Sequence, residues 1–141
     1  LNPLSIEDLL TLREGGAQLL DVRDPVDFAG AHFRDSLNVG LQGKFATWAG
    51  TLLDPTRQIA LIAEPGREEE AAIRLGRIGF DKIAGFLSGA MASLEDHSEL
   101  VARTERITAA TVCERLSQPA PPAQWEVIWR PPGFSRGAWS P

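Results

Sequence analysis

The sequence predicts an α/β fold, with a mainly parallel sheet and helices on both faces. Three observations carry this. Short apolar runs of strand length recur along the chain, each followed by a segment with helical spacing. Ile59–Ala63 is a continuous apolar run, the pattern of a strand buried on both faces. From Glu68 the period changes, placing Ala71, Ala72, Leu75, Ile78 and Gly79 at helical spacing. Glu64, Pro65 and Gly66 break the run between them, so Gln58–Phe80 reads as strand, tight loop, helix.

The other elements follow in order. Ser5 is an N-cap residue, with Glu7 and Asp8 in the first turn and Leu9, Leu10 and Leu12 on the inner face. Gly15-Gly16 ends that helix. Gln18–Val22 is a short buried strand ending on charge at Asp21, Arg23 and Asp24. Pro25 opens a helical turn through Phe28, closed by Gly30. Asp24 and Asp27 have the spacing of helix-capping acids. Leu37–Val39 is a second short strand. Phe45–Leu53 is helical, with Phe45, Trp48, Ala49 and Leu52 on one face, and Asp54-Pro55 stops it. Asp81–Phe86 is a further strand and Gly89–Leu94 a small helix.

Beyond this point the pattern changes. Residues 1–97 form the α/β domain, 98–124 a polar linker with a short capped helix at Thr108–Ser117, and 125–141 a tail. Ile107–Leu116 followed by Trp125–Trp139 faintly repeats Leu4–Leu12 followed by Gln18–His32. In each, a capped helix leads to a short strand, an arginine, a proline and a phenylalanine. Two readings stand: a second copy of the unit cut off near its start, or a docked or disordered tail. Trp125, Trp129 and Trp139 are either packing residues of that copy or a sticky surface for a partner.

Composition sets further bounds. The 141 residues are 43% hydrophobic and 23% charged, the balance of a globular domain. A net charge of -5 and the lack of a basic block argue against nucleic acid as a partner. No apolar run has the length of a membrane span. A single cysteine excludes an intrachain disulfide framework and points to a reducing, cytoplasmic setting.

The chemistry centres on the loop after Ala63. It ends at a helix N-terminus, where free N–H groups and the dipole favour an anion or thiolate. An enzyme of this shape puts its nucleophile at the strand end. Ala63 stands there, and alanine cannot attack anything.

Asp21–Val39 (DVRDPVDFAGAHFRDSLNV) resembles the first signature of rhodanese-like domains, matched at Asp21, Arg23, Asp27, Phe28, His32, Ser36 and Asn38. Ala31 replaces a usual glycine, and Arg34-Asp35 replace a usual Pro-Gly. Ile59–Phe80 resembles the active-site element of the form Cys-x-x-Gly-x-Arg-Ser. Gly66 sits at its glycine, Ala63 at its cysteine, and Glu68 and Glu69 at its arginine and serine. Gly85–Met91 is similar to the closing Gly-Gly turn, with Ala90 in place of one glycine. The resemblance spans Leu4–Leu94. It implies a five-stranded, mainly parallel sheet flanked by helices, with a C-terminal extension. Two segments, GKFATWAGTLLDP and AEPGREEEA, look like the first rhodanese-like domain of fusions with a metallo-β-lactamase-type domain and a second rhodanese-like domain. Such fusions handle persulfide and sulfide as metal-dependent hydrolase or persulfide dioxygenase-type proteins. The resemblance therefore implies those two domains as partners, with a homodimer also expected. No cofactor is expected in this chain.

Rhodaneses move sulfur through a low-pKa cysteine persulfide held by loop N–H groups. Here Ala63 lacks sulfur, Pro65 lacks an N–H, and Glu64, Glu68, Glu69 and Glu70 oppose an anion. The domain is thus expected to be catalytically inactive, a scaffolding or interaction module in a sulfur-handling protein. The alternatives are a sulfur carrier using Cys113, or a small-anion-binding regulatory module using Arg67. Cys113 is expected instead as a small buried hydrophobe, and Arg67 as a surface ion-pair partner. Asp21 and Arg23 are expected as a strand-end ion pair, and His32 as a backbone hydrogen-bond partner. His32 and His97 lack companions at ligand spacing, so no metal site is expected.

Overall fold

The computed structural model describes residues Leu1–Ser117. Its strands are β1 (Pro3–Leu4), β2 (Gln18–Asp21), β3 (His32–Phe33), β4 (Leu37–Asn38), β5 (Ile59–Ile62), β6 (Ile83–Leu87) and β7 (Val101–Ala102). Its helices are α1 (Ile6–Glu14), α2 (Pro25–Gly30), α3 (Phe45–Leu52), α4 (Glu68–Gly76) and α5 (Ala109–Leu116). Five strands make one sheet in the order β1-β6-β5-β2-β4, and every pairing in it is parallel. This is the α/β architecture the sequence predicts. No helix among the described residues is long and apolar enough to cross a membrane.

Both faces of the sheet are covered, which is why β5 is apolar at every position. Successive side chains of a strand point to opposite faces. Ile59, Leu61 and Ala63 accordingly join one core cluster with Phe45 and Ala49 of α3 and Ala71 and Leu75 of α4. Ala60 and Ile62 join the other, with Leu9 of α1, Phe33 and Leu94. The sheet is anchored between these two layers, so the ends of β2, β4 and β5 have fixed positions.

The helix starts follow from capping. Ser5 Oγ accepts from the Asp8 N–H, and Asp8 reaches back to the Ser5 N–H, a complete capping box. Asp24 accepts from the Val26 N–H at 2.8 Å and Pro25 stands at the first helical position of α2.

Besides β3, which the sequence reading leaves without an element, the structure departs from that reading at three further places in the strands and α3. The edge strand β1 lies before the first predicted element. It pairs Pro3 with Phe86 and Leu4 with Leu87. Gly85 makes this approach possible: at φ +158°, a Cβ there would stand 2.3 Å from the Asn2 carbonyl oxygen. Second, Ser98–Ala102 was expected within the linker. It is a 3-10 turn at Ser98–Leu100 followed by β7, which pairs antiparallel with β3. The Arg34 N–H donates to the Leu100 carbonyl at 2.7 Å, and the Thr104 N–H to the Ala29 carbonyl at 2.9 Å. Two apolar residues were too few to show a strand whose partner lies so far upstream. Third, Trp48 and Leu52 do not share the burial of Phe45 and Ala49, and are 54% and 48% exposed. They lie on the rim of the helix face, where the layer beneath α3 ends.

The first compact unit spans Leu1–Glu105, and a second begins at Arg106. Within the second, α5 is capped by Thr108, whose hydroxyl accepts from the Thr111 N–H at 3.2 Å. The linker residues 118–124 and the Trp125–Trp139 half of the proposed repeat, with Trp125, Trp129 and Trp139, lie outside the described residues.

Candidate functional site

The candidate site lies where β2, β4 and β5 end side by side, the usual ligand-binding edge of a parallel sheet. Asp21, the last residue of β2, is fully buried. Both its carboxylate oxygens are engaged by Arg23. The Arg23 Nη2 donates to Oδ2 at 2.6 Å, and Nε to both oxygens at 3.0 and 3.1 Å. The Arg23 N–H adds a bond to Oδ1 at 3.0 Å. Nη2 also donates to the Ala31 carbonyl at 2.9 Å, which ties α2 and β3 to the end of β2. Asn38 completes the knot: its Nδ2 donates to the carbonyls of Asp21 and Arg23, at 3.1 and 3.0 Å. The role of this amide was not foreseen from sequence, because it depends on β4 lying beside β2.

His32 is buried in the same frame. Its ring stacks on Phe28 at 3.8 Å, and Nδ1 lies 2.7 Å from the Phe28 carbonyl oxygen. A carbonyl only accepts, so Nδ1 carries the hydrogen. The imidazole has a frame-holding contact in this turn.

Ala63 is the first residue past β5. It is 2% exposed and its methyl belongs to the first core cluster. The residues after it leave few donors for a ligand. Pro65 has no N–H. Gly66, in the left-handed region at φ +88°, donates its N–H to Glu68 Oε2 at 2.7 Å. The Arg67 N–H donates to the Glu64 carbonyl at 3.0 Å. The chain's own oxygens thus take the Gly66 and Arg67 N–H groups. Glu69 is exposed in the first turn of α4.

The Arg67 side chain is held as well. Its Nε donates to Glu70 Oε2 at 2.7 Å, and Glu70 Oε1 lies 3.4 Å from Arg74 Nη1. Arg74 also donates to the Leu41 carbonyl, and its guanidinium stands 5.0 Å from the Phe45 ring centroid. The hydrogen bond from Arg67, reinforced by the charges of Arg67 and Arg74, lowers the Glu70 carboxyl below the ordinary glutamate range. This network fastens the loop to the segment that follows β4.

Two clefts flank the loop, and both have Arg23 and Glu64 in their walls. The larger, about 690 Å³, runs between the loop and α3 past Asn38, Leu41, Lys44 and Trp48. The smaller, about 480 Å³, is bounded by Val26, Pro65, Ala90 and Met91. Ala90 and Asp35 are the non-glycine residues with positive φ among the described residues, at +48° and +66°. Both are positions where the sequence reading notes a missing glycine. Both left-handed positions are thus held by residues other than the glycine the resemblance implies.

Cys113 corrects an expectation. It was read as a small buried hydrophobe, and it is exposed on α5. Spacing from Ala109 and Leu116 marks a helical stripe, but Ala109 is itself exposed, and α5 has no buried residue. His97 lies apart from the loop residues in sequence and contacts Glu99 Oε1 at 3.2 Å. Among the described residues, no group of three His, Cys, Asp or Glu is arranged to hold a metal ion.

A family model described as "Rhodanese-like domain" matches residues 5–97. The chain belongs to the rhodanese-like domain family. Solved structures agree on the fold. The Rhodanese_3 like domain of the Alr3790 protein from Anabaena sp. is 18% identical, with a TM-score of 0.58 over 67% of this chain and 99% of that one. The BH2092 protein from Bacillus halodurans is 18% identical, with a TM-score of 0.60 over 72% and 77%. A variant of EanB in complex with hercynine is 16% identical, with a TM-score of 0.61 over 82% of this chain and 31% of that one. At these identities the likeness concerns the fold alone. No curated protein matches the chain. In this rhodanese-like domain the frame of the first signature is closely bonded, and the loop that follows β5 is closed on itself.

Proposed function

We propose that this chain is a non-catalytic rhodanese-like module of a sulfur-handling protein, with a scaffolding or interaction role. One observation carries the reading: the nucleophile position is Ala63, a buried methyl, at the head of a loop whose N–H groups are absent at Pro65 and engaged at Gly66 and Arg67. A sulfurtransferase needs a thiolate at this point and free donors to hold its persulfide. Four glutamates at 64, 68, 69 and 70 further oppose a sulfur oxyanion. The parent protein in this reading is cytoplasmic and joins the module to a metallo-β-lactamase-type domain and a second rhodanese-like domain. The likeness of Gly43–Pro55 and Ala63–Ala71 to such fusions supports that part. A complete reading frame with neither domain would remove it.

The catalytic part is tested by a thiosulfate:cyanide assay on the full chain. We expect no turnover above buffer, and little gain on Ala63→Cys, because that thiol would sit buried with its anion unsupported. Cys113 is exposed, so Cys113→Ala is the control for a displaced sulfur carrier. Wild-type turnover lost in Cys113→Ala overturns the proposal. An Ala63→Cys variant as active as a competent rhodanese overturns the account of the loop.

A further inference from the structure

The larger cleft has features that the scaffold reading does not use. Its volume of about 690 Å³ is that of a small-molecule site, and it lies at the strand ends where parallel sheets hold ligands. Its wall is fixed in place. The Val39 N–H donates to the Asp21 carbonyl at 3.0 Å and the Leu41 N–H to the Val22 carbonyl at 3.2 Å. Asn38 and Arg74 fasten the same segment through the bonds described above.

Two large apolar residues, Trp48 and Leu52, are about half exposed and line this cavity from adjacent turns of α3. Lys44 and Glu64 line it too, and neither side chain has a hydrogen-bond or ion-pair partner among the described residues. The other charges in the wall are engaged: Arg23 by Asp21, Arg67 by Glu70, and Asp24 by the Val26 N–H. The cleft therefore presents one unpaired cation, one unpaired anion and an apolar surface.

We propose that this cleft binds a small amino-acid-type zwitterion with an apolar side chain. Its carboxylate pairs with Lys44, its ammonium with Glu64, and its side chain covers Trp48 and Leu52. A simple anion would meet repulsion from Glu64, and a simple cation from Lys44. A wholly apolar ligand would desolvate both charges without pairing either. The proposal does not depend on the absence of sulfur chemistry at Ala63.

The test is calorimetric titration of the full chain with leucine, methionine and phenylalanine, beside leucinamide and N-acetyl-leucine. We expect at least one free amino acid to bind with a Kd of about 1 mM or tighter, and each blocked leucine to bind roughly tenfold more weakly than leucine. Lys44→Gln should weaken the amino acid about tenfold while leucinamide, freed of repulsion, binds no more weakly; Glu64→Gln should likewise weaken the amino acid about tenfold while N-acetyl-leucine binds no more weakly. Trp48→Ala should weaken all of them. These three residues are exposed, so unchanged thermal melting of the variants verifies their fold. No binding of any amino acid at about 10 mM, blocked leucines that bind as well as leucine, or charge variants without effect would each overturn the proposal.

Discussion

The segment Asp21–Asn38 and the loop Ala63–Glu70 are built from similar charged residues and use them in opposite ways. In the first, Asp21 is fully buried and Arg23 nearly so, and their pair reaches two further elements through Ala31 and Asn38. In the second, Arg67, Glu68 and Glu70 lie near the surface and bond only to neighbours on the same loop and helix, or to Arg74. The first segment holds elements together. The second bonds its own Gly66 N–H and reaches one other segment, at the Leu41 carbonyl, through Arg74. The charges that join the strands and the charges of the loop thus sit in separate contact networks.

The largest way to break this contrast is Asp21→Ala. It leaves Arg23 buried without its anion, and urea unfolding should show a loss of about 3–5 kcal/mol. Replacing both, with Asp21→Leu and Arg23→Met, should recover much of that loss. A single substitution costing under about 1 kcal/mol would mean that the pair is no anchor. An intermediate effect is expected at Ala90, beside the loop. Ala90→Gly removes the cost of a left-handed alanine but frees the unfolded chain, and should raise stability by about 0.5–1 kcal/mol. A lower melting temperature would contradict the strain at this turn.

The smallest effect is expected from the loop charges. The folded-state pKa of Glu70 lies below its unfolded value, so its contribution is present above about pH 4.3 and is lost as pH falls through the folded pKa. Wild type should lose stability slightly more steeply than Glu70→Gln below that pH. Identical acid limbs in the two unfolding curves would remove Glu70 from the account.

Much of the fold is legible in the sequence because its signals are local. Ser5 and Asp24 mark helix starts by their own side chains, and β5 shows its burial as an unbroken apolar run. β1 and β7 are illegible for the opposite reason. Each is two residues long, and each exists only through a partner about 70 or more positions away. The empty place at Ala63 can be read by counting back from Gly66. The capture of the Gly66 N–H by Glu68 cannot, since it depends on how the backbone turns after Pro65. The exposure of Trp48 and Leu52 is hidden likewise. Helical period shows which face is apolar, not how far the layer beneath it extends.

The two short strands carry a further consequence. The family model matches residues 5–97, yet β1 precedes that stretch and β7 follows it. The family match and the strand pairing thus end at different residues. Grafting only the shared stretch into another protein would leave β6 and β3 with open ladders on the sides that β1 and β7 now occupy. Open edges of this kind are templates for pairing with other chains. A transplanted domain would need both overhangs to keep those ladders paired.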